Sequence, residues 1–322
     1  MPLARRCLLA AAVVGLGLTG VGLPARAEIN GLEIVAPAGP GGGYDQLARA
    51  VQQALESERL ATGVQVTNIP GAGGTIGLAQ FVTKGARNPG FLVAGLGLVG
   101  AVRINKSPVS LDQVAPAARL TGEYQPLVVA ADSPIRTLGD LIERFKADPG
   151  SVSWGGFALG SPDHILCASL VKAAGGDVKK MNYIVAGAGG EMLAQVMGGH
   201  ITVATGGLNE MAQQLQAGKL RALGISSPER LPGVDIPTFK EQGVDVTLVN
   251  WRGLMAPAKL RPAERKAFDQ ALDAMGRSAA WQALVKERGW VDLFQPADAF
   301  AAFLAEEQTR IAGILNDLGL TP

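Results

Sequence analysis

The sequence predicts an α/β fold of two similar lobes, on three observations. Short apolar runs alternate with helix-patterned runs along nearly the whole chain, which argues for layered units with mainly parallel sheets. At 322 residues the chain exceeds a typical single domain, so two compact units are expected. The tetrapeptide GAGG occurs at 71–74 and again at 187–190, each time between a strand-like and a helix-like run.

Taken in order, the first segment is not part of the fold. MPLARR is positively charged, the stretch from Cys7 is apolar, and ARA at 25–27 is a small-x-small cleavage site. These are the three parts of a secretory signal peptide, so residues 1–27 are expected to be removed after Ala27. Removal takes Arg5, Arg6 and Arg26 and no acid, leaving 26 basic against 28 acidic residues. A charge so near zero gives no reason to expect nucleic acid or an anionic membrane surface as partner. Cys167 is then the one remaining cysteine, so no intrachain disulfide forms, and its apolar helical setting makes it a packing residue.

The strand LEIVAP leads into the loop AGPGGG and the helix YDQLARAVQQALE, whose Leu47, Ala48, Val51, Ala54 and Leu55 share one face. VQVTNIP, the first GAGG and the helix TIGLAQFVTKG repeat the arrangement. FLVAGLG and PLVVAADSP are further strands. Thr137 opens a helix with Asp140 three residues on, a capping box. The middle of the chain repeats the plan. SVSWGG precedes a helix with Ser161 as N-cap and Pro162 in the first helical position. MNYIVA, the second GAGG and EMLAQVMGG follow, then ITVAT, GGLNEMAQQLQAG and the strand LRALGI. VTLVNWRGLMAP is a long extended segment, and helices run from PAERKAFDQALDAMG to the end.

Enzyme chemistry finds little footing. GLGLVG, with Gly95, Gly97 and Gly100, has the letters of a dinucleotide fingerprint, but AVRINKSPVS with Pro108 reads as a poor following helix and the required acid is missing. AGPGGGYD lacks the Lys-Ser/Thr ending of a phosphate loop. His164 and His200 have no metal-ligand spacing. Ser226 and Ser227 in GISSPE lack the glycine of a nucleophile elbow. No cofactor and no metal is expected.

Binding fits better. A glycine loop entering a helix presents unpaired N–H groups to an anion, and the absence of Cβ atoms lets a carboxylate come close. Such loops on two lobes suggest a shared cleft, although each alone reads equally well as a tight turn. Asp45, in the first helical turn, either braces the loop or simply favours the helix dipole.

AGPGGGYDQLARA, NIPGAGGTIG, SPDHI, AGAGGEMLAQVMGGHI, LQAGKLRALGISSPERLPGVDIPTFKEQG and NWRGLMAP stand in an order that resembles the extracytoplasmic solute receptors of the tripartite tricarboxylate transporters, the Bug receptors. The resemblance covers essentially all of the mature chain. It implies a two-lobed periplasmic-binding-protein (Venus flytrap) fold, each lobe a mixed sheet flanked by helices. Residues 28–127 plus 247–322 would form domain 1 and 128–246 domain 2, with hinge strands near 126–130 and 246–254. It implies a small carboxylate as ligand, the integral-membrane subunits of the transporter as partners, and a sensor-kinase ectodomain if signalling accompanies uptake. Carried over, Gly41, Gly42, Gly43, Tyr44 and Asp45 form the first loop, and Ala72, Gly73 and Gly74 the second. Ser161, His164, Ala188, Gly189 and Gly190 face them from the other lobe, with Thr205 beside them. Many relatives carry a small hydroxyl residue at Tyr44, an aspartate near 205–207 and an aromatic at Arg252. GGGYDQ with NWRG resembles the tricarboxylate, citrate-type branch, in which Tyr44 would donate a hydrogen bond and Arg252 would pair with an additional carboxylate. A receptor for another carboxylate, such as an aromatic acid or amino acid, and an exported enzyme are the alternatives.

Overall fold

The computed structural model describes residues 29–87, 90–186 and 189–321. The expected signal peptide, and Gly187 and Ala188 of the second GAGG, lie outside the described residues.

The first lobe begins with β1 (Ile29–Asn30), β2 (Glu33–Ala36), α1 (Gly43–Ser57), β3 (Ala61–Thr62), β4 (Gln65–Asn68), α2 (Thr75–Lys84), β5 (Gly90–Gly95), α3 (Leu96–Ile104) and β6 (Val114–Tyr124). The chain crosses into β7 (Pro126–Ala130), α4 (Leu138–Ala147), β8 (Ser153–Gly156), α5 (Pro162–Ala173), β9 (Asn182–Val185), α6 (Gly189–Met197), β10 (Val203–Thr205), α7 (Leu208–Gln216) and β11 (Leu220–Ile225). It returns as β12 (Val249–Pro257), α8 (Pro262–Gly276), α9 (Ala279–Glu287), β13 (Val291–Pro296) and α10 (Ala297–Asp317).

The two main sheets share one plan. The six-stranded sheet runs β13-β6-β12-β5-β2-β4 and the five-stranded sheet β11-β7-β10-β8-β9. In each, three strands are parallel, β4-β2-β5 and β9-β8-β10, and the rest join antiparallel. The sheets are therefore mixed, not mainly parallel. The parallel part takes helices on both faces, which is why β5 reads GFLVAG and is buried throughout. Leu47, Ala48, Val51, Ala54 and Leu55 of α1 are all fully buried against it, each Leu or Val worth about 1.5–3 kcal/mol. Topology makes β4 the counterpart of β9, and α2 the counterpart of α6.

Two further expectations need correction. FLVAGLG ends as a strand at Gly95, and α3 starts at once, so LGLVGAVRI does form a helix: it stops at Ile104, short of Pro108. The C-terminal region is not all helix, because β13 interrupts it.

The crossings between the sheets are short and stitched together. Gln125 alone separates β6 from β7. Its N–H donates to Ser226 Oγ (2.9 Å), and the Ser226 hydroxyl donates to the Leu248 carbonyl (2.6 Å) just before β12. Behind them, α10 packs on β6, α3 and α5. The buried Trp251 of β12 donates to Glu307 Oε1 of α10 (3.1 Å), and Lys172 of α5 pairs with Asp317 at its far end. An apolar cluster continues from Leu96 and Val99 through Trp251 and Ile311 to Ile165 and Leu166, so the lobes share core at their back.

Candidate functional site

The helix-opening loops of both lobes gather where the lobes meet. Between β4 and α2, residues 71–74 take φ of 127°, 48°, 63° and 98° in succession, a conformation only a glycine-rich run adopts readily. Ala72 accepts it at a cost, and the Gly74 N–H closes the turn by donating to the Gly71 carbonyl (2.9 Å).

The first loop is closed by its own carboxylate. Asp45, 3% exposed, accepts from the Gly41 N–H (2.8 Å), Asn68 Nδ2 (2.9 Å) and Arg49 Nε (3.0 Å). Burial opposes its charge, but these donors hold the carboxyl below its ordinary value. Of the two roles left open for Asp45, bracing the loop is the one seen. Tyr44 reaches the start of α3, where its hydroxyl accepts the Leu98 N–H (3.0 Å). Burial pushes its pKa up to about 12, against the opposing pull of the Arg252 charge and the Leu98 N–H. The phenol thus keeps its proton and remains a donor.

The second lobe mirrors this device. Ser161 caps α5 by accepting the His164 N–H (3.4 Å), and Asp163 accepts the Phe157 N–H (2.9 Å) and a short bond from Gln125 Nε2 at the crossing. Burial raises Asp163 to about 6, opposed by the Phe157 and Gln125 donors. His164 accepts the Gly160 N–H at Nδ1 (3.1 Å) and lies on Tyr183, ring centroids 4.1 Å apart. Burial lowers it to about 4, so it is neutral and props the loop.

The lobes touch through α3 and the loop before α5. A Cβ on Gly100 would lie 2.3 Å from the Gly160 carbonyl oxygen, and one on Gly160, at φ +72°, would lie 2.0 Å from Ile104 Cδ1. Beside this contact is a cavity of about 550 Å³ lined by Tyr44, residues 71–74 and Ser161, with Ala158 and Leu159 from the second lobe. It brings together Tyr44, Ala72, Gly73, Gly74 and Ser161 of the expected residues.

The others sit elsewhere. Gly41, Gly42, Gly43 and Arg252 line a neighbouring cavity of about 530 Å³ with Glu123 and Glu210. The Arg252 guanidinium lies over Gly43, where a Cβ would meet Nη2 at 2.5 Å, and Nη2 donates to Glu123 Oε2 (2.6 Å). Its Nη1 is buried without a hydrogen-bond partner among the described residues. Thr205 is fully buried and donates to the Pro126 carbonyl (2.8 Å), inside the sheet. Gly189 and Gly190 open α6, and Ala188 lies outside the described residues. Gln125, Asp163, Ser226, Gly100 and Gly160 were not expected as functional positions. Among the described residues no group of three His, Cys, Asp or Glu is placed to hold a metal.

With this geometry in hand, comparison with known proteins is decisive. Residues 47–320 match the model of the tripartite tricarboxylate transporter family receptor. The chain belongs to this family. Protein BugT of Bordetella pertussis is 26% identical over 325 residues, covering 97% of each chain. Among solved structures, an adipate-bound protein of R. palustris superimposes with a TM-score of 0.78 at 20% identity, covering 91% of this chain and 98% of that one. MatC of Rhodopseudomonas palustris with bound malate gives 0.73 at 20% identity, over 89% and 99%. These likenesses show the two-lobed periplasmic-binding-protein fold. The receptor is accordingly a solute-binding protein and not an enzyme. No helix among its described residues is long and apolar enough to cross a membrane.

Proposed function

We propose that the receptor captures a small di- or tricarboxylate between its lobes in the periplasm and delivers it to the membrane subunits of a tripartite transporter. The cavity of about 550 Å³, lined from both lobes at the starts of helices, carries this reading. Backbone N–H groups of Ala72 and Gly73 and the Tyr44 phenol donate to one carboxylate, and the N-terminus of α5, beside Ser161, receives another. Of the remaining expected residues, His164 props the loop at Gly160, Gly41–Gly43 line the neighbouring cavity, Gly189 and Gly190 open α6, and Thr205 bonds within its own sheet. A third carboxylate, as in citrate, would have to reach Arg252 in competition with Glu123. The relatives described with adipate and malate support a carboxylate ligand.

In this reading residues 1–27 direct export and are cleaved after Ala27. Residues 28–127 with 247–322 form one body and 128–246 the other, turning about the crossings at 125 and 226–248. A ligand that touches both favours the closed arrangement because its contacts are complete only there. Titration of the mature chain with citrate, malate and adipate tests the proposal. Saturable binding of a carboxylate with compaction is expected, and no response to any of them would refute it.

A further inference from the structure

The two lobes hold equivalent carboxylates in unequal ways. Asp45 stands in the first turn of α1 and Asp163 in the first turn of α5, and each is 3% exposed. Asp45 is paired with Arg49 (3.0 Å). Asp163 has no cation acting on it among the described residues. Its partners are neutral: the Phe157 N–H (2.9 Å), the Ser161 hydroxyl (3.5 Å) and the side-chain amide of Gln125. The titratable groups that face it are Tyr183 of β9, Cys167 one turn on in α5 and Glu210 of α7, none of them positive. His164, its neighbour in the chain, is neutral above about pH 4. Gln125 is 1% exposed, and its Oε1 is buried without a hydrogen-bond partner among the described residues.

An anion received at the start of α5 comes close to this carboxylate. Ser161 lines the cleft cavity, and no charged side chain does. The Ser161 N–H donates to the Ala158 carbonyl (3.0 Å), Pro162 has none, and the His164 N–H donates to Ser161 Oγ. The N–H left without a partner among the described residues is that of Asp163 itself. Resting on the receptor reading above, we propose that the receptor takes up a proton from solvent with its ligand, and that Asp163 is the group that binds it. A ligand carboxylate at Ser161 competes for the hydroxyl proton that Asp163 accepts and sets a second negative charge beside it. Both changes favour the protonated carboxyl. Burial already holds Asp163 at about 6, so a further rise brings the proton on near neutral pH. Gln125 serves both states: Nε2 donates to the carboxylate, and the same amide turned over offers Oε1 to the acid proton, which a lysine or arginine cannot do. One negative charge is thus cancelled in a cavity without a cation. By reciprocity, affinity rises as pH falls towards 6.

The mature chain, unfolded and refolded to remove carried-over ligand, is titrated calorimetrically with adipate, malate and citrate in phosphate and in Tris at pH 7. The difference in heat between the buffers reads the protons taken up. Asp163→Asn, which keeps an acceptor for the Phe157 N–H, subtracts any proton the acid itself exchanges. The parent is expected to take up about half a proton or more per ligand beyond that variant, and its affinity to fall about three- to tenfold more than the variant's from pH 6.5 to 7.5. Glu210→Gln is expected to keep the uptake. Infrared difference spectra of the parent, which need no variant, are expected to show the C=O stretch of a protonated carboxyl appear as ligand is added at pH 7. Equal uptake in the parent and Asp163→Asn, loss of uptake in Glu210→Gln alone, or absence of the infrared band overturns the inference and leaves the receptor reading standing. Silence towards all three acids overturns the receptor reading, and this inference with it.

Discussion

Placing one methyl group between the lobes is a direct way to separate ligand capture from folding. In Gly100→Ala the new Cβ would stand 2.3 Å from the Gly160 carbonyl oxygen, where ordinary contact begins at 3.4 Å. One side must withdraw by about 1 Å. The Gly160 loop cannot yield easily, because its N–H is bonded to His164 Nδ1 at 3.1 Å and its Cα sits against Ile104. Parting the lobes is the easier response, and it removes contacts from any ligand that bridges them. Overpacking of this size costs about 1–3 kcal/mol, which is roughly a five- to 150-fold loss of affinity. The thermal midpoint without ligand is expected to stay near that of the parent, since both sheets keep their own cores. Calorimetry reads the affinity, and small-angle scattering with saturating ligand reads the separation of the lobes. Unchanged affinity together with unchanged compaction would refute the reasoning, because the lobes would then not meet at Gly100 in the bound state.

Three other outcomes follow from the same geometry. Tyr44→Phe removes the phenolic donor and the partner of the Leu98 N–H, so affinity is expected to fall by about 1 kcal/mol, near fivefold, with the fold intact; an unchanged Kd on calorimetry contradicts it. Asp163 and His164 act oppositely on acid stability. Asp163, raised to about 6, contributes stability that is full below about pH 4 and lost as pH rises through 6, whereas His164, lowered to about 4, contributes stability that is full above about pH 6.5 and lost as pH falls through 4. Each is worth roughly 2–3 kcal/mol across that window and the pair nearly cancels. Asp163→Asn is expected to lose stability on acidification from pH 6.5 to 4 and His164→Gln to gain it, and parallel unfolding curves at both pH values would contradict this. Arg252→Met leaves the partly buried Glu123 unpaired and is expected to cost about 2–4 kcal/mol in denaturant unfolding, most of it recovered when Glu123→Gln is added; strictly additive losses would show that the pair is not coupled.

Much of the architecture was readable because it rests on local signals. The apolar face of α1, the Thr137–Asp140 capping box and the Ser161–Pro162 helix start all follow from spacing alone, and each is formed. The long central strand β6 gave no such signal. VAPAARLTGEY carries Pro116, Arg119 and Glu123 and does not alternate. It is a strand because β12 and β13 pair with its two edges, and Pro116 is tolerated because β13 reaches only as far as Ala118. In the cleft, the glycine turns were legible, since their composition has few other uses. Which loop residues share one cavity was not, because Tyr44 and Gly43 are neighbours in sequence yet line different cavities. Arg252 looked free for a ligand because its partner Glu123 is 129 residues away. Ser226, unremarkable in GISSPE, stitches the crossings only once two distant strands return to it.

The central claim is that a small carboxylate is held between the lobes and released unchanged. Calorimetric titration of the refolded mature chain with citrate, malate and adipate, followed by NMR of the recovered acid, tests it most directly. The account predicts one-to-one binding of at least one of these acids, recovered unaltered. Binding of none of them, or chemical conversion of the bound acid, would contradict it.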